Sequence, residues 1–163
     1  MNLGIIIFDV IQFFLYSVLI GIAFYPISIL IELIISNFSL YSLPFFAVAL
    51  IYIFLVTLIL ELWILRLILP KLKTGYYDTP NSKMFYIWTL NFTFSRMLFN
   101  DPVRNLILYF ASLRFLAINA LGGKVSLLSA ISANVSLVDI PMLSIGKGGI
   151  IGAWSVISGH FMV

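Results

Sequence analysis

Two long apolar runs occupy the first 70 residues. Ile5 to Ile35 carries Asp9 and Glu32 as its only charges, near its two ends. At about 1.5 Å per residue, about twenty of these residues cross a hydrocarbon layer of about 30 Å, so the run predicts a first transmembrane helix. Pro26 lies inside it and, lacking an amide hydrogen, predicts a kink rather than a break. The polar turn Ser36-Asn37-Phe38-Ser39 separates it from a second run, Pro44 to Leu69, punctuated by Pro44 and Pro70. Residues 1–70 thus read as a transmembrane helical hairpin. Met1 to Gly4 supplies no basic side chain and the apolar run is too long for a cleavable signal, so the first helix is expected to stay.

After Pro70 the pattern changes. From Met84 to Phe99 the chain is rich in aromatic residues, Trp88 among them, which favour the lipid headgroup layer. Beyond the turn Asn100-Asp101-Pro102, Val103 to Ala120 is apolar again, but Arg104 and Arg114 leave an uncharged run too short to span. Residues 71–120 are therefore expected to form a juxtamembrane segment of interfacial helices. A third crossing is the alternative, and it requires a deeply buried Arg114.

In residues 121–163 the period becomes six. Val125, Ile131 and Leu137 are six apart, and so are Ile145, Ile151 and Ile157; Ser126, Ser132, Gly146, Gly152 and Ser158 follow five of them directly. A period of six fits neither an amphipathic helix nor a flat strand. It suits the start of a left-handed parallel β-helix, in which each hexad forms one side of a triangular coil with its aliphatic residue pointing inward. Between the two triplets the spacing is eight, so two extra residues around Asp139-Ile140-Pro141 are expected to bulge outward. The fold class read from the pattern is membrane α plus β: hairpin, interfacial helices, then a partial β-helix.

Composition and charge refine this picture. The chain is 63% hydrophobic and 9% charged, which places at least part of it in a bilayer. Its net charge of +3 comes from nine dispersed basic residues that form no basic block, so nucleic acid is not an expected partner. The basic residues act as orientation signals: the loop between the two helices has none, whereas Arg66, Lys71, Lys73 and Lys83 cluster after the second. The positive-inside rule then predicts an integral protein of the inner, cytoplasmic membrane with both termini cytoplasmic. Glu61, an acid late in the second run, is expected to snorkel or to pair with Arg66 or Lys71; a polar path is the other reading. The absence of cysteine excludes disulfides, thiolate catalysis and Cys-ligated metal.

Three stretches carry a family resemblance: "KLKTGYYDTPNS" with a following Trp, "ILYFASLRFLAINALGGKV", and "LVDIPMLSIGKGGIIGAWSVISGH". From about Lys71 to His160 the chain resembles the membrane-anchored hexapeptide-repeat acyltransferase regions at the C-terminus of nonribosomal peptide synthetases of the poly-lysine synthetase type. It departs at Leu121-Gly122-Gly123, where the family pattern has Leu-Gly-Ala, and at Lys147, where an acidic residue is usual. The resemblance implies transfer of an acyl or aminoacyl group from a pantetheine thioester, on a carrier protein or coenzyme A, to an amine or hydroxyl, with no bound cofactor. It implies a carrier protein or synthetase as partner beside the lipid bilayer, and assembly as a trimer or as tandem β-helix domains.

Such a transfer needs a base with a pKa near neutrality, and His160 is the only histidine. The resemblance assigns it the catalytic role. Backbone amides at Gly148, Gly149 and Gly159 are candidate oxyanion donors, and Asp139 a candidate to orient the base or touch the acceptor. No phosphate loop, nucleophile elbow or His-Glu-x-x-His pair is present, and "IGKGGIIG" lacks the strand-turn-helix context of a dinucleotide site. Residues 125–163 supply little more than two coils, and in the family the coil continues past the histidine, so a fragment of a longer transferase or a degenerate remnant is expected. A non-catalytic membrane assembly module is the competing reading.

Overall fold

The computed structural model describes residues 3–73, 75, 82–101 and 103–159. It divides into two compact units, Met1–Glu61 and Leu62–Val163.

In the first unit, α1 (Leu3–Asn37) runs without interruption for 35 residues, through Pro26. A 3₁₀ turn at Leu40–Ser42 leads into α2 (Leu43–Ile68). Both elements are long and apolar enough to cross a membrane, in spans Asp9–Asn37 and Leu40–Ile68. Their surfaces are inverted relative to a soluble helix: Phe13, Phe14, Tyr25, Phe45 and Val48 are exposed, while Leu19, Ala23 and Ile27 form a covered stripe on α1. Hydroxyl side chains bond to carbonyls of their own helix, as when Ser17 Oγ donates to Phe13 O (2.9 Å) and Thr57 Oγ1 to Ile53 O (2.9 Å). The carboxylate oxygens of Glu61 are buried without a hydrogen-bond partner among the described residues.

The second unit contains the last turns of α2 and everything after. Arg66 donates from Nη1 to Asn91 Oδ1 at 2.6 Å. Asn91 is buried on α3 (Lys83–Leu98), whose first turn is capped by Ser82: its Oγ accepts from Phe85 N at 3.1 Å. The aromatic-rich segment is thus a helix, and it contributes Phe94, Leu98 and the following Phe99 to the core.

The apolar segment Val103 to Ala120 forms two helices, α4 (Val103–Tyr109) and α5 (Ala111–Ala120), broken at Phe110, which is extended (φ −88°, ψ 118°). Neither piece is long enough to span. Arg114 gives the physical reason. Its guanidinium turns inward, donating from Nη1 to Leu108 O (2.9 Å) and from Nη2 to Ser129 O (2.7 Å). The break releases carbonyls at the end of α4, and the arginine takes one of them. Burial lowers the pKa of this guanidinium from its ordinary value, yet arginine remains charged.

α5 ends at Leu121-Gly122-Gly123. Gly122 has φ +92°, and a Cβ on Gly123 would sit 2.6 Å from Ile140 O, so the second glycine coincides with a close backbone approach. Among the described residues six two-residue strands follow: β1 (Lys124–Val125), β2 (Ala130–Ile131), β3 (Ser136–Leu137), β4 (Ser144–Ile145), β5 (Ile150–Ile151) and β6 (Val156–Ile157). They form three parallel pairs, Lys124 with Ser144, Ala130 with Ile150 and Ser136 with Val156, each strand pairing 20 positions further on. That offset equals three hexads plus the two inserted residues. Val125, Ile131 and Leu137 are buried, whereas Ile145, Ile151 and Ile157 are half-buried.

The insertion does not bulge outward. Ile140–Met142 forms a 3₁₀ turn in which Ile140 is completely buried and Asp139 nearly so. An aliphatic side chain gains more by packing than by facing water, and Asp139 is compensated by the donors described below.

Candidate functional site

Asp139 accepts hydrogen bonds from two distant parts of the chain. Trp88 Nε1 on α3 donates to Oδ1 at 2.8 Å; Ser158 Oγ (3.1 Å) and the Gly159 amide (2.7 Å) donate to Oδ2. A buried carboxylate needs such company, and bonds to an ionised acceptor are stronger than neutral ones. Trp88 is fixed from both sides on its helix. Phe85 lies 5.9 Å away one turn before, Phe92 stacks on it at 5.4 Å with ring planes 15° apart, and Arg96 sits 5.5 Å from the Phe92 ring centroid.

Beside this cluster lies a cleft of about 130 Å³, lined by Leu137, Asp139, Met142, Ile157, Ser158 and Gly159. A larger open groove of about 470 Å³ runs along α1, but every lining residue belongs to that one helix. It is the furrowed surface of an apolar helix, with Glu32 at its margin.

Of the residues singled out in the sequence, Asp139 and Gly159 come together. Gly148 and Gly149 lie at a different corner, between β4 and β5, away from the cleft. All three candidate oxyanion amides are already engaged: Gly148 N donates to Leu128 O (3.0 Å), Gly149 N to Gly146 O (3.2 Å) and Gly159 N to Asp139. In this arrangement none is free for an oxyanion: one amide is used within its turn, one by the neighbouring coil and one by a side chain. His160 lies outside the described residues. Among the described residues no three His, Cys, Asp or Glu side chains gather to hold a metal.

Sequence reasoning missed Trp88 as the partner of Asp139. Asp139 is the only acid after Asp101, and an acid in an apolar repeat requires donors; nothing in the spacing says which. Comparison with protein-family models, curated proteins and solved structures gives no match to this chain.

Proposed function

We propose that this chain is a membrane-anchored acyltransferase of hexapeptide-repeat type. In this reading α1 and α2 cross the bilayer as a hairpin with both termini cytoplasmic, and the six strands are the sides of two coils of a left-handed parallel β-helix. His160 is the general base that takes the proton from an amine or hydroxyl as it attacks the carbonyl of a carrier-protein or coenzyme A acyl or aminoacyl thioester, and the C–S bond breaks to release the pantetheine thiol. The observation that carries the reading is the constant 20-residue parallel offset of three strand pairs with Val125, Ile131 and Leu137 turned inward. Asp139 supports it as a positioning residue. It holds the amide of Gly159, which precedes His160 in the sequence.

The second reading is an assembly module without catalysis. It is favoured by the engaged corner amides and by the cleft of about 130 Å³, since sites for small molecules typically enclose about 300 to 1,000 Å³.

The deciding experiment measures thiol release from acyl coenzyme A or an acyl-pantetheine by the full chain reconstituted in vesicles, with an amine acceptor. The chain has no cysteine, so the thiol signal has no background from the protein. Release abolished by His160→Ala, with vesicle insertion unchanged, supports transfer. Release at the same rate from protein-free vesicles supports the assembly module.

A further inference from the structure

The outward side of the β2–β5 pair and the corners that flank it form an apolar ridge. Ile131 and Ile151 point inward, so Ala130 and Ile150 point outward by strand alternation, and Ile150 is 78% exposed. At the corner before this side, Leu127 and Leu128 are exposed, and Gly148 N bonds to Leu128 O, which sets Lys147 against the same corner. At the corner after it, the 20-residue offset puts Trp154 beneath Asn134. Trp154 is also 78% exposed, and Val156 beyond it is 72% exposed.

Trp154 is held there at a conformational cost. Its φ is +64°, the left-handed region that L-residues with bulky side chains avoid. Asn134 shares that conformation at φ +60°, but it is a residue type that tolerates it and it is bonded to Asn105. An indole presented to solvent on a strained corner, between two exposed aliphatic residues, is a surface made for contact.

Charge selects the partner. From residue 121 to 159 the chain carries Lys124, Asp139 and Lys147. The acid is buried and bonded and both lysines are exposed, so the field presented by the strands is positive. The same compact unit includes the end of α2, where Ile64, Leu67 and Ile68 are exposed, so the strands are tethered to an apolar helix terminus. Tryptophan with aliphatic neighbours and a flanking lysine is the composition that settles at a membrane interface. Apolar insertion and anionic attraction together make a stable contact where either alone is marginal.

We propose that this ridge docks on the anionic lipid surface of the membrane, with Trp154 and Ile150 entering the headgroup layer and Lys147 meeting lipid phosphates. The inference rests on the membrane anchoring proposed above, and it assigns the strands a lipid contact of their own.

The test uses the full chain in vesicles of phosphatidylcholine with phosphatidylglycerol, and single cysteines added to a protein that has none. An environment-sensitive fluorophore at Ile150→Cys is expected to shift to the blue and to be quenched by lipids spin-labelled near the headgroup. The same fluorophore at Ser144→Cys, on the β1–β4 side, is expected to stay water-exposed. Lys147→Gln is expected to shift the docked-to-undocked ratio about five-fold toward undocked. Trp154→Gly fits the backbone of the corner, so it is expected to abolish quenching while leaving the fold intact. A fluorophore at Ile51→Cys reports on α2 separately: quenching by lipids labelled deep in the acyl chain tests the anchoring. Quenching at position 51 with none at 150 overturns the docking alone. Protection of position 150 in detergent, with cross-linking between copies through that cysteine, assigns the ridge to a second copy and likewise overturns it.

Discussion

The indole of Trp88 donates to Asp139 Oδ1 at 2.8 Å across 51 positions of sequence. This bond joins α3 to the turn between the two sets of strands, at the point where Ser158 and Gly159 return to the same carboxylate. Asp139→Ala leaves three donors without their acceptor and is expected to cost about 3 kcal/mol. Trp88→Phe keeps the ring and removes the N–H, at about 1 to 2 kcal/mol. In a double-mutant cycle read by unfolding in detergent, the two are expected to couple by about 1 kcal/mol or more; strict additivity counts against the bond.

Arg114 is the second long-range tie. Arg114→Ala removes charge-assisted bonds to Leu108 O and Ser129 O and is expected to cost about 3 kcal/mol. Lysine has no planar fork to reach two carbonyls at once, so Arg114→Lys is expected to recover less than half of that. A melting temperature of the lysine variant equal to wild type is the result that removes this role.

The two sets of inward aliphatic residues differ in burial, and their truncations should differ too. Ile131 is buried and Ile151 half-buried. Ile131→Ala is expected to cost about 3 kcal/mol and Ile151→Ala about half as much, in the same unfolding assay. Equal costs show that the second set is covered in the assembled protein.

Asn134 and Asn105 bond reciprocally, Asn105 Nδ2 to Asn134 Oδ1 and Asn134 N to Asn105 Oδ1, each at 3.0 Å. Asn134→Gly keeps the left-handed backbone and one of the two bonds, for a loss of about 1 kcal/mol. Asn134→Val meets the β-branch penalty at φ +60° as well and is expected to lose about twice that. Thermal unfolding ranks the two, and the reverse order refutes the conformational argument.

The sequence pattern by itself determined the two apolar helices, because a run of lipid-soluble side chains needs no tertiary partner to be legible. The elements end within one or two residues of the expected Ile5–Ile35 and Pro44–Leu69. It also determined the inward triplet Val125, Ile131 and Leu137 and the length of the repeat, since a six-residue period records which side chains turn inward whatever surrounds them.

What the tertiary structure alone decided is where the polar groups within apolar surroundings go. Arg114 was legible as a charge that keeps Val103 to Ala120 from spanning, and it bonds to carbonyls in the interior. The Asp139 turn looked like an outward bulge, and it folds in. The candidate glycine amides looked free, and they are bonded. Hydrophobic burial follows from residue type along the chain, whereas a buried charge or amide is satisfied only by whichever donor or carbonyl the packed chain brings within about 3 Å, and that partner has no fixed sequence spacing.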